Sequence, residues 1–244
     1  AYSINPSLST DSDGNVHVAW DDDRNGNRRV YYKKLNNNGV NLTPEIMLTF
    51  DPAHSASPSL STDSDGNVHV AWQDWRDGNL EIYYKKLSNN GAPLTPDLRL
   101  TFDRYSSWIP SLATDQQGNV HLAWYDYRAG WPNNGIYYKK LNNSGAPLTP
   151  DLRLTSNPTY SRFPSLATDP NGNVHVAWVD NISIPYIYEG ELYYKKLNNS
   201  GVALTPNIRL TVTPYHFAEY PSLATDPNGN VHIVWGSWGI YYKK

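Results

Sequence analysis

The sequence predicts an all-β fold, a five-bladed β-propeller built from four-stranded antiparallel blades. Three observations predict it: a unit of about 50 residues that recurs five times, turn residues that divide each unit into short segments, and an unusual supply of aromatic residues. The 244 residues include 19 Tyr and 9 Trp but only 4 Phe and 1 Met, and Tyr and Trp favour strands. No segment carries a sustained apolar stripe at the helical period, so helices are not expected.

The repeat is marked by the segment Pro-Ser-Leu, which begins at Pro6, Pro58, Pro110, Pro164 and Pro221 with spacings of 52, 52, 54 and 57 residues. Each unit continues through Gly-Asn-Val-His to a Trp and then to Tyr-Tyr-Lys-Lys. A single sheet of this size cannot bury both of its faces, and radial stacking is the usual solution for repeated sheets. An open β-solenoid is the alternative, but it needs polar caps that the first and last units lack.

We therefore predict one propeller domain over residues 1–244, with units at about 1–50, 51–101, 102–155, 156–211 and 212–244. Within the second unit, alternation and turn chemistry predict strands a to d at residues 59–62, 68–74, 81–87 and 98–101. The chain ends just after the strand-c signature of the fifth unit. The last blade is therefore predicted to lack its outer strand.

The full repeat, Pro-Ser-Leu-Ala-Thr-Asp-x-x-Gly-Asn-Val-His-x-x-Trp followed by Tyr-Tyr-Lys-Lys, resembles the repeats of sialidase-like propellers that carry the Asp-box. In that family the Asp-box, Ser-x-Asp-x-Gly-x-x-Trp, occupies the turn between the third and fourth strands. The corresponding segments here carry Asn in place of Asp, with Leu near the position of Trp, and lie at residues 35–39, 87–91, 141–145 and 197–201, followed by Leu42, Leu94, Leu148 and Leu204. The resemblance covers nearly the whole chain and implies the propeller architecture.

Active members of that family use an arginine trio, a Tyr–Glu nucleophile pair and an acidic Asp, contributed by different blades. Such a set must be asymmetric. Here Glu is scarce, and several arginines repeat with the period in strand d, at Arg99, Arg153 and Arg209. We therefore assign no catalytic residue from the sequence, and we expect no cofactor.

Charge and hydropathy exclude several classes of partner. The 20 basic and 23 acidic residues are dispersed along the chain, with a net charge of -3, so no basic stripe favours nucleic acid. No apolar run approaches the ~20 residues that span a bilayer, and a membrane span is not expected. The sequence predicts a secreted or cell-surface protein and leaves its oligomeric state open.

An aspartate lies two residues after the Trp of four units, at Asp22, Asp74, Asp126 and Asp180. Three units add an arginine two residues later, at Arg24, Arg76 and Arg128. One interpretation is a ring of carboxylates at the mouth of a central channel. However, acid–base catalysis needs two carboxylates in different environments, and equivalent blades offer similar ones. We therefore expect these aspartates to form ion pairs or turn caps within the b–c loops.

Two repeated patterns suggest metals but have simpler interpretations. The histidines of the five strands b, His17, His69, His121, His175 and His232, lie on different blades, too far apart to share one ion. We expect them to form structural hydrogen bonds between blades. The segments 11–15 and 63–67 resemble the start of a calcium loop but lack its final bidentate Glu, so we expect hairpin turns and no metal.

The variable parts of the repeat are the b–c loops and the d–a links, which topology places on one face. This face collects aromatic residues beside Asp and Arg, as expected of binding loops held by a rigid scaffold. The predicted ligand-binding residues are Asp22, Asp74, Trp75, Arg76, Tyr105, Trp108, Asp126, Tyr127, Arg128, Trp131, Tyr160, Asp180, Tyr188, Tyr215 and Trp238. The alternative is that these rings fill gaps between blades.

The function predicted from these features is non-catalytic, lectin-like binding of a glycan or another small polar ligand, because flat rings beside polar groups suit sugars. Two alternatives remain: a glycoside hydrolase or lyase of the sialidase-like class, and a protein-binding scaffold or adhesion module.

Overall fold

A computed structural model describes residues 1–130, 134–155, 160–184, 187–212 and 217–244, except for the side chains of residues 182–184 and 187–189. The fold is an all-β five-bladed β-propeller. Four blades are antiparallel sheets of four strands, and the last is a sheet of three, as predicted. The chain divides into two compact units, which differ from the five repeat units of the sequence. From here on, the first unit is residues 1–120 with 142–146, and the second unit is residues 121–141 with 147–244.

In every blade the strands follow one another in chain order as a meander. Blade 1 contains β1 (Ser3–Thr10), β2 (Val16–Asp22), β3 (Arg29–Leu35) and β4 (Ile46–Met47). Blade 2 contains β5 (Ser55–Thr62), β6 (Val68–Asp74), β7 (Glu81–Leu87) and β8 (Leu98–Arg99). Blade 3 contains β9 (Ser107–Thr114), β10 (Val120–Asp126), β11 (Gly135–Leu141) and β12 (Leu152–Arg153). Blade 4 contains β13 (Tyr160–Thr168), β14 (Val174–Ile184), β15 (Ile187–Leu197) and β16 (Ile208–Arg209). Blade 5 contains β17 (Glu219–Thr225), β18 (Val231–Gly236) and β19 (Ile240–Lys243).

Strands b and c of the second blade have the predicted bounds, whereas strand a begins four residues earlier than predicted, at Ser55. The pairing register shifts between Ala56 and Ser59. Pro58 lacks an N–H group and interrupts the ladder, but the bulge lets the strand continue on both sides of it. The proline is therefore inside strand a rather than at its start.

The outer strand d is shorter than predicted, with only two residues in β8. Beyond Arg99, the Ile82 N–H group donates to the side-chain oxygen Thr101 Oγ1 at 2.8 Å instead of to a backbone carbonyl of strand d. The regular ladder therefore ends after two residues.

The bulge in strand a places a residue with positive φ directly before each repeat proline. These residues have φ between 47° and 54° and are Asn5, Ser57, Ile109, Phe163 and Tyr220. Left-handed backbone is unfavourable for non-glycine residues, and most of all for bulky ones. The strain recurs in all five blades and is thus part of the repeat.

The hydrophobic core of each unit lies between the sheet faces of adjacent blades. In the first unit, Val30 and Tyr32 of blade 1 form a buried cluster with Val70 and Trp72 of blade 2. In the second unit, buried residues of blade 4 such as Leu192 pack with residues of blade 5. Among the described residues, no helix is long and apolar enough to cross a membrane.

Candidate functional site

The b–c loops and d–a links, which we call the variable face, contact one another within each unit. In the first unit, the Asn27 side chain donates to the Pro52 carbonyl at 2.6 Å, and the Asn79 side chain donates to the Asp103 carbonyl at 3.0 Å. In the second unit, the Asn134 side chain donates to the Ser161 carbonyl at 2.6 Å. In these three blades an asparagine amide therefore ties the b–c loop to the following link or to the start of the next strand a, on the side predicted from the topology.

Asp74 illustrates the role of the repeated aspartates that follow the Trp. Its carboxylate is fully buried and accepts hydrogen bonds from Trp72 Nε1 at 2.8 Å and Ser55 Oγ at 2.8 Å. Arg76 adds a bidentate pair, with Nη2 at 2.7 Å and Nε at 2.9 Å. Both oxygens of this carboxylate are thus used by the protein itself.

The electrostatics of these aspartates fit an ion-pair role. Burial alone would raise the pKa of the Asp74 carboxyl, but the hydrogen bonds from Arg76, Trp72 and Ser55 outweigh burial and hold the pKa below its ordinary value. At Asp22, the hydrogen bond from Arg24 is the main cause of a lowered pKa. Both carboxylates are therefore ionised at neutral pH and have no proton to donate as general acids.

The two remaining repeated aspartates are also used by the protein. Asp126 accepts from Trp124 Nε1 at 2.9 Å and Arg128 Nη2 at 2.7 Å. Asp180 accepts from Ser161 Oγ at 2.5 Å. Asp22, Asp74 and Asp126 thus support the interpretation as ion pairs, whereas the bond between Asp180 and Ser161 joins two paired strands.

Arg76 is held in a layered stack rather than projecting towards a ligand. Its guanidinium lies 4.3 Å from the centre of the Tyr83 ring, and that ring stacks on Trp72 at 6.0 Å. Arg76 Nη1 also donates to Asp97 at 2.9 Å. Arg128 is held in the same way in blade 3, with its guanidinium 4.3 Å from the centre of the Tyr137 ring. These predicted ligand-binding arginines thus make the contacts that fix the b–c loops.

Trp75 lies between Asp74 and Arg76, and its side chain is 48% exposed. Its N–H group donates to the His54 carbonyl at 3.0 Å, and its own carbonyl accepts from the Gly78 N–H group at 3.1 Å. Both sequence neighbours are locked in the buried ion pair. The indole is therefore an aromatic surface on a rigid loop.

Tyr105, in the link between blades 2 and 3, is also exposed, with 38% of its surface accessible. The side chain of Asn79 donates to its carbonyl at 3.1 Å. The guanidinium of Arg104 lies 4.8 Å from the centre of the Tyr105 ring. This part of the variable face combines a flat ring with a cationic donor.

The other predicted aromatic residues differ in exposure. Tyr127 and Tyr160 are partly buried, and their hydroxyls are 2.9 Å apart. Their rings meet edge to face, so these two residues fit the gap-filling alternative. Trp108 is partly buried and Trp238 is exposed. The positions of Trp131 and Tyr215, and the side chain of Tyr188, lie outside the described residues.

Sequence reasoning missed Asp21, a buried carboxylate near the end of β2. Its Oδ1 accepts from the Asn5 side chain at 2.8 Å and from the Ser57 N–H group at 2.9 Å, while Arg28 Nη1 lies 3.7 Å from Oδ2. Burial is the main cause of its raised pKa. The signal was present in the sequence, because the residue directly after the repeat Trp varies between blades: Asp21, Gln73, Tyr125, Val179 and Gly236.

The histidines are structural, but they bond within a blade and not between blades as predicted. His69 Nδ1 lies 2.7 Å from the Tyr84 hydroxyl, and Nε2 lies 3.2 Å from Asp63 Oδ2. Tyr84 is on the strand paired with that of His69, which is why the bond stays inside the blade. In the first unit, a contact between blades is instead made by Asn89, whose side chain donates to Asp11 Oδ2 at 3.2 Å.

The calcium-like segments are hairpin turns, as expected. Asp63 Oδ1 accepts from the N–H groups of Asp65 at 3.0 Å and Asn67 at 2.8 Å, so it caps its own turn. The described part of the chain contains no cluster of three His, Cys, Asp or Glu residues that could hold a metal ion.

No protein-family model matches the sequence, and the comparison with curated proteins finds no relative. Solved structures are similar in fold. An endo-arabinase from Bacteroides thetaiotaomicron is 13% identical with a TM-score of 0.61, over 100% of this chain and 94% of that one. A protein of unknown function from Dyadobacter fermentans is 11% identical with a TM-score of 0.74, over 99% and 78%. A Hadza microbial sialidase is 12% identical with a TM-score of 0.63, over 96% and 52%. The chain therefore shares the fold of these structures at low sequence identity.

Proposed function

We propose that this protein is a non-catalytic, lectin-like propeller that binds glycans on its variable face, with Trp75 as the main contact. The observation that carries the proposal is the half-exposed indole of Trp75 between two residues fixed by a buried ion pair. An aromatic surface that is already ordered loses little conformational freedom on binding. The apolar face of a sugar ring can stack on it, while the sugar hydroxyls bond to nearby polar groups.

The neighbouring link supports the same function. Tyr105 offers a second exposed ring, and Arg104 beside it provides N–H donors for hydroxyl or carboxylate oxygens. The fold similarity to an endo-arabinase and a sialidase favours carbohydrate as the ligand class. A glycan ligand also fits a secreted or cell-surface location, which is part of the proposal.

The chemistry of the carboxylates supports binding without catalysis. Hydrolysis of a glycosidic bond generally needs two carboxyl groups on either side of the scissile bond, one of them with a raised pKa. The repeated carboxylates Asp22 and Asp74 are paired with arginines and have lowered pKa values. Asp21 has a raised pKa, but its Oδ1 already accepts hydrogen bonds from the Asn5 side chain and the Ser57 N–H group.

A glycoside hydrolase is the second candidate, because Asp21 is a buried carboxyl with a raised pKa and similar solved structures include hydrolases. Hydrolysis of arabinan or of fluorogenic sialosides, lost in Asp21→Asn and kept in Asp65→Asn, would support it. Asp65 is an exposed residue of a hairpin turn and serves as the matched control.

A glycan array tests the proposed function. We expect at least one glycan class to bind above background and to be lost in Trp75→Ala. Leu94→Ala is the matched control, because Leu94 is 53% exposed in a c–d turn and thus similar in exposure to Trp75. Absence of binding to every glycan class, with the wild-type protein folded, would contradict the proposal.

A further inference from the structure

A lysine and an aspartate of blade 1 meet an asparagine of blade 2 in the first unit. Lys34 lies in β3 and Asp11 in the a–b turn of blade 1, whereas Asn89 lies in the c–d turn of blade 2. Lys34 Nζ contacts Asn89 Oδ1 and lies 3.0 Å from Asp11 Oδ2. Asn89 Nδ2 donates to the same Asp11 oxygen at 3.2 Å. One carboxylate oxygen therefore contacts both the lysine amine and the amide nitrogen of the asparagine.

These groups are shielded from water. The side chains of Lys34 and Asp11 are 6% and 1% exposed. His17, whose Nε2 lies 3.2 Å from Asp11 Oδ2, is fully buried. Removal from water favours neutral amines, which are the nucleophilic form of lysine. The same exclusion of water protects an amide, once it is formed there, from hydrolysis.

The c–d turn that carries Asn89 is packed closely on both sides. The Gly91 N–H group donates to the Ser88 carbonyl at 2.8 Å and closes the turn. Gly91 lies so close to blade 1 that an added Cβ would be 2.7 Å from the ring of Tyr32. An added Cβ at Gly66 would collide with the amide nitrogen of Asn89. The asparagine amide is therefore held in a fixed position at the junction of the two blades.

The contact between lysine and asparagine recurs at other junctions inside each unit. In the first unit, Lys86 Nζ contacts Asn143 Oδ1 and lies 3.1 Å from Asp63 Oδ2. In the second unit, Lys140 Nζ contacts Asn199 Oδ1. The close approach of an amine to an amide is thus a property of the repeat and not an accident of one junction.

We propose that Lys34 and Asn89 form an intramolecular isopeptide bond, with Asp11 as the carrier of the proton. Lys34 Nζ transfers one proton to Asp11 and attacks Asn89 Cγ. The new Nζ–Cγ bond replaces the Cγ–Nδ2 bond, and Nδ2 leaves as ammonia with the second proton of Nζ. Asp11 then returns its proton to the ammonia, so the products are a secondary amide and an ammonium ion. The reaction consumes no oxidant, reductant or co-reactant.

Position and consequence both fit a structural cross-link. Two reactants held in contact react as one molecule, which removes much of the entropic barrier to amide formation. The bond joins strand c of blade 1 to the c–d turn of blade 2 and restricts the unfolded chain, as a disulfide does, in a sequence without cysteine. The inference does not depend on the proposed carbohydrate binding.

Mass spectrometry of the purified wild-type protein tests the proposal. We expect an intact mass below the sequence mass by one ammonia for each bond, and a branched peptide in a protease digest that joins the segments of Lys34 and Asn89. The branched peptide is required, because Asn-Gly sequences such as Asn38-Gly39 also lose ammonia when they form a succinimide. The unreacted sequence mass, or a loss of ammonia without this branched peptide, overturns the proposal.

Variants separate the chemistry from the packing. Asp11→Asn keeps both reactants but removes the proton carrier, and we expect the branched peptide to fall to about a tenth of the wild-type amount or less. Lys34→Arg keeps a cation but removes the primary amine, and should abolish this peptide. Lys33→Arg is the matched control, because Lys33 is the sequence neighbour and lies 3.8 Å from Glu45 instead. An undiminished branched peptide in folded Asp11→Asn overturns the proposed reaction.

Discussion

Trp72 Nε1 donates a hydrogen bond to the Asp74 carboxylate at 2.8 Å, two residues along the same strand. This bond links a fully buried ring of blade 2 to the ion pair that fixes the b–c loop. The same bond joins Trp124 Nε1 to Asp126 at 2.9 Å in blade 3, although the loops beyond the two strands differ. The repeated carboxylate stabilises the scaffold, and the variable residues after it are available for binding.

Removal of the Asp74 carboxylate leaves Arg76 and Trp72 without a buried partner. We expect Asp74→Ala to lower the free energy of unfolding by about 3 kcal/mol. Urea denaturation followed by tryptophan fluorescence measures the loss. Asp65→Ala changes an exposed aspartate of the same blade and is expected to shift stability by no more than ~0.5 kcal/mol. Equal effects of the two substitutions would contradict the scaffold role of Asp74.

The buried histidines make stability depend on pH. Burial lowers the pKa of His69 to about 4, against an ordinary value of 6.5. As the pH falls from 6.5 to 4, the unfolded chain takes up a proton that the native blade does not, so the free energy of unfolding decreases by up to ~1.4 kcal/mol per pH unit for this residue. Below the native pKa, this contribution no longer changes.

The histidine prediction is tested by urea midpoints measured between pH 7 and pH 4. We expect His69→Gln to have a smaller decrease across this window than the wild-type protein. His54→Gln, which changes an exposed histidine of the same unit, should keep the wild-type decrease. A wild-type midpoint that rises as the pH falls would show that the histidine is not held neutral.

The bulge before Pro58 stores backbone strain at Ser57, where φ is 52°. Glycine adopts this conformation without strain but loses more entropy on folding. We therefore expect Ser57→Gly to change the free energy of unfolding by less than ~1 kcal/mol. By contrast, Ser59→Gly removes the hydroxyl that accepts from the Leu112 N–H group at 2.9 Å and should destabilise by ~1–2 kcal/mol. A larger loss for Ser57→Gly would contradict the strain argument.

The repeat alone was sufficient to predict the meander, the missing outer strand and the bounds of strands b and c. Strand a was predicted too short, because Pro58 indicates a boundary in most strands, whereas here a bulge accommodates it. The histidine partner was wrong because the cross-strand neighbour of His69 depends on register, which the repeat does not specify.

The candidate site was predictable only in part. The pairing of the repeated aspartates with arginine followed from their equivalence. The exposure of Trp75 and the partial burial of Tyr127 did not, because both residues occupy the same loop position and differ only in their neighbours. Asp21 was missed because the residue directly after the repeat Trp differs from blade to blade, so the repeat does not mark this position. Positions that vary beside a constant residue are therefore the ones to inspect in repeat proteins.

Calorimetric titration of a glycan identified on the array provides the most direct test of the central claim. For Trp75→Ala, we predict at least a tenfold weaker Kd, equivalent to about 1.4 kcal/mol, with Leu94→Ala indistinguishable from the wild-type protein. The same unfolding midpoint for both variants would show that the loss is local to the indole. Wild-type affinity in folded Trp75→Ala would contradict the assignment of the binding surface.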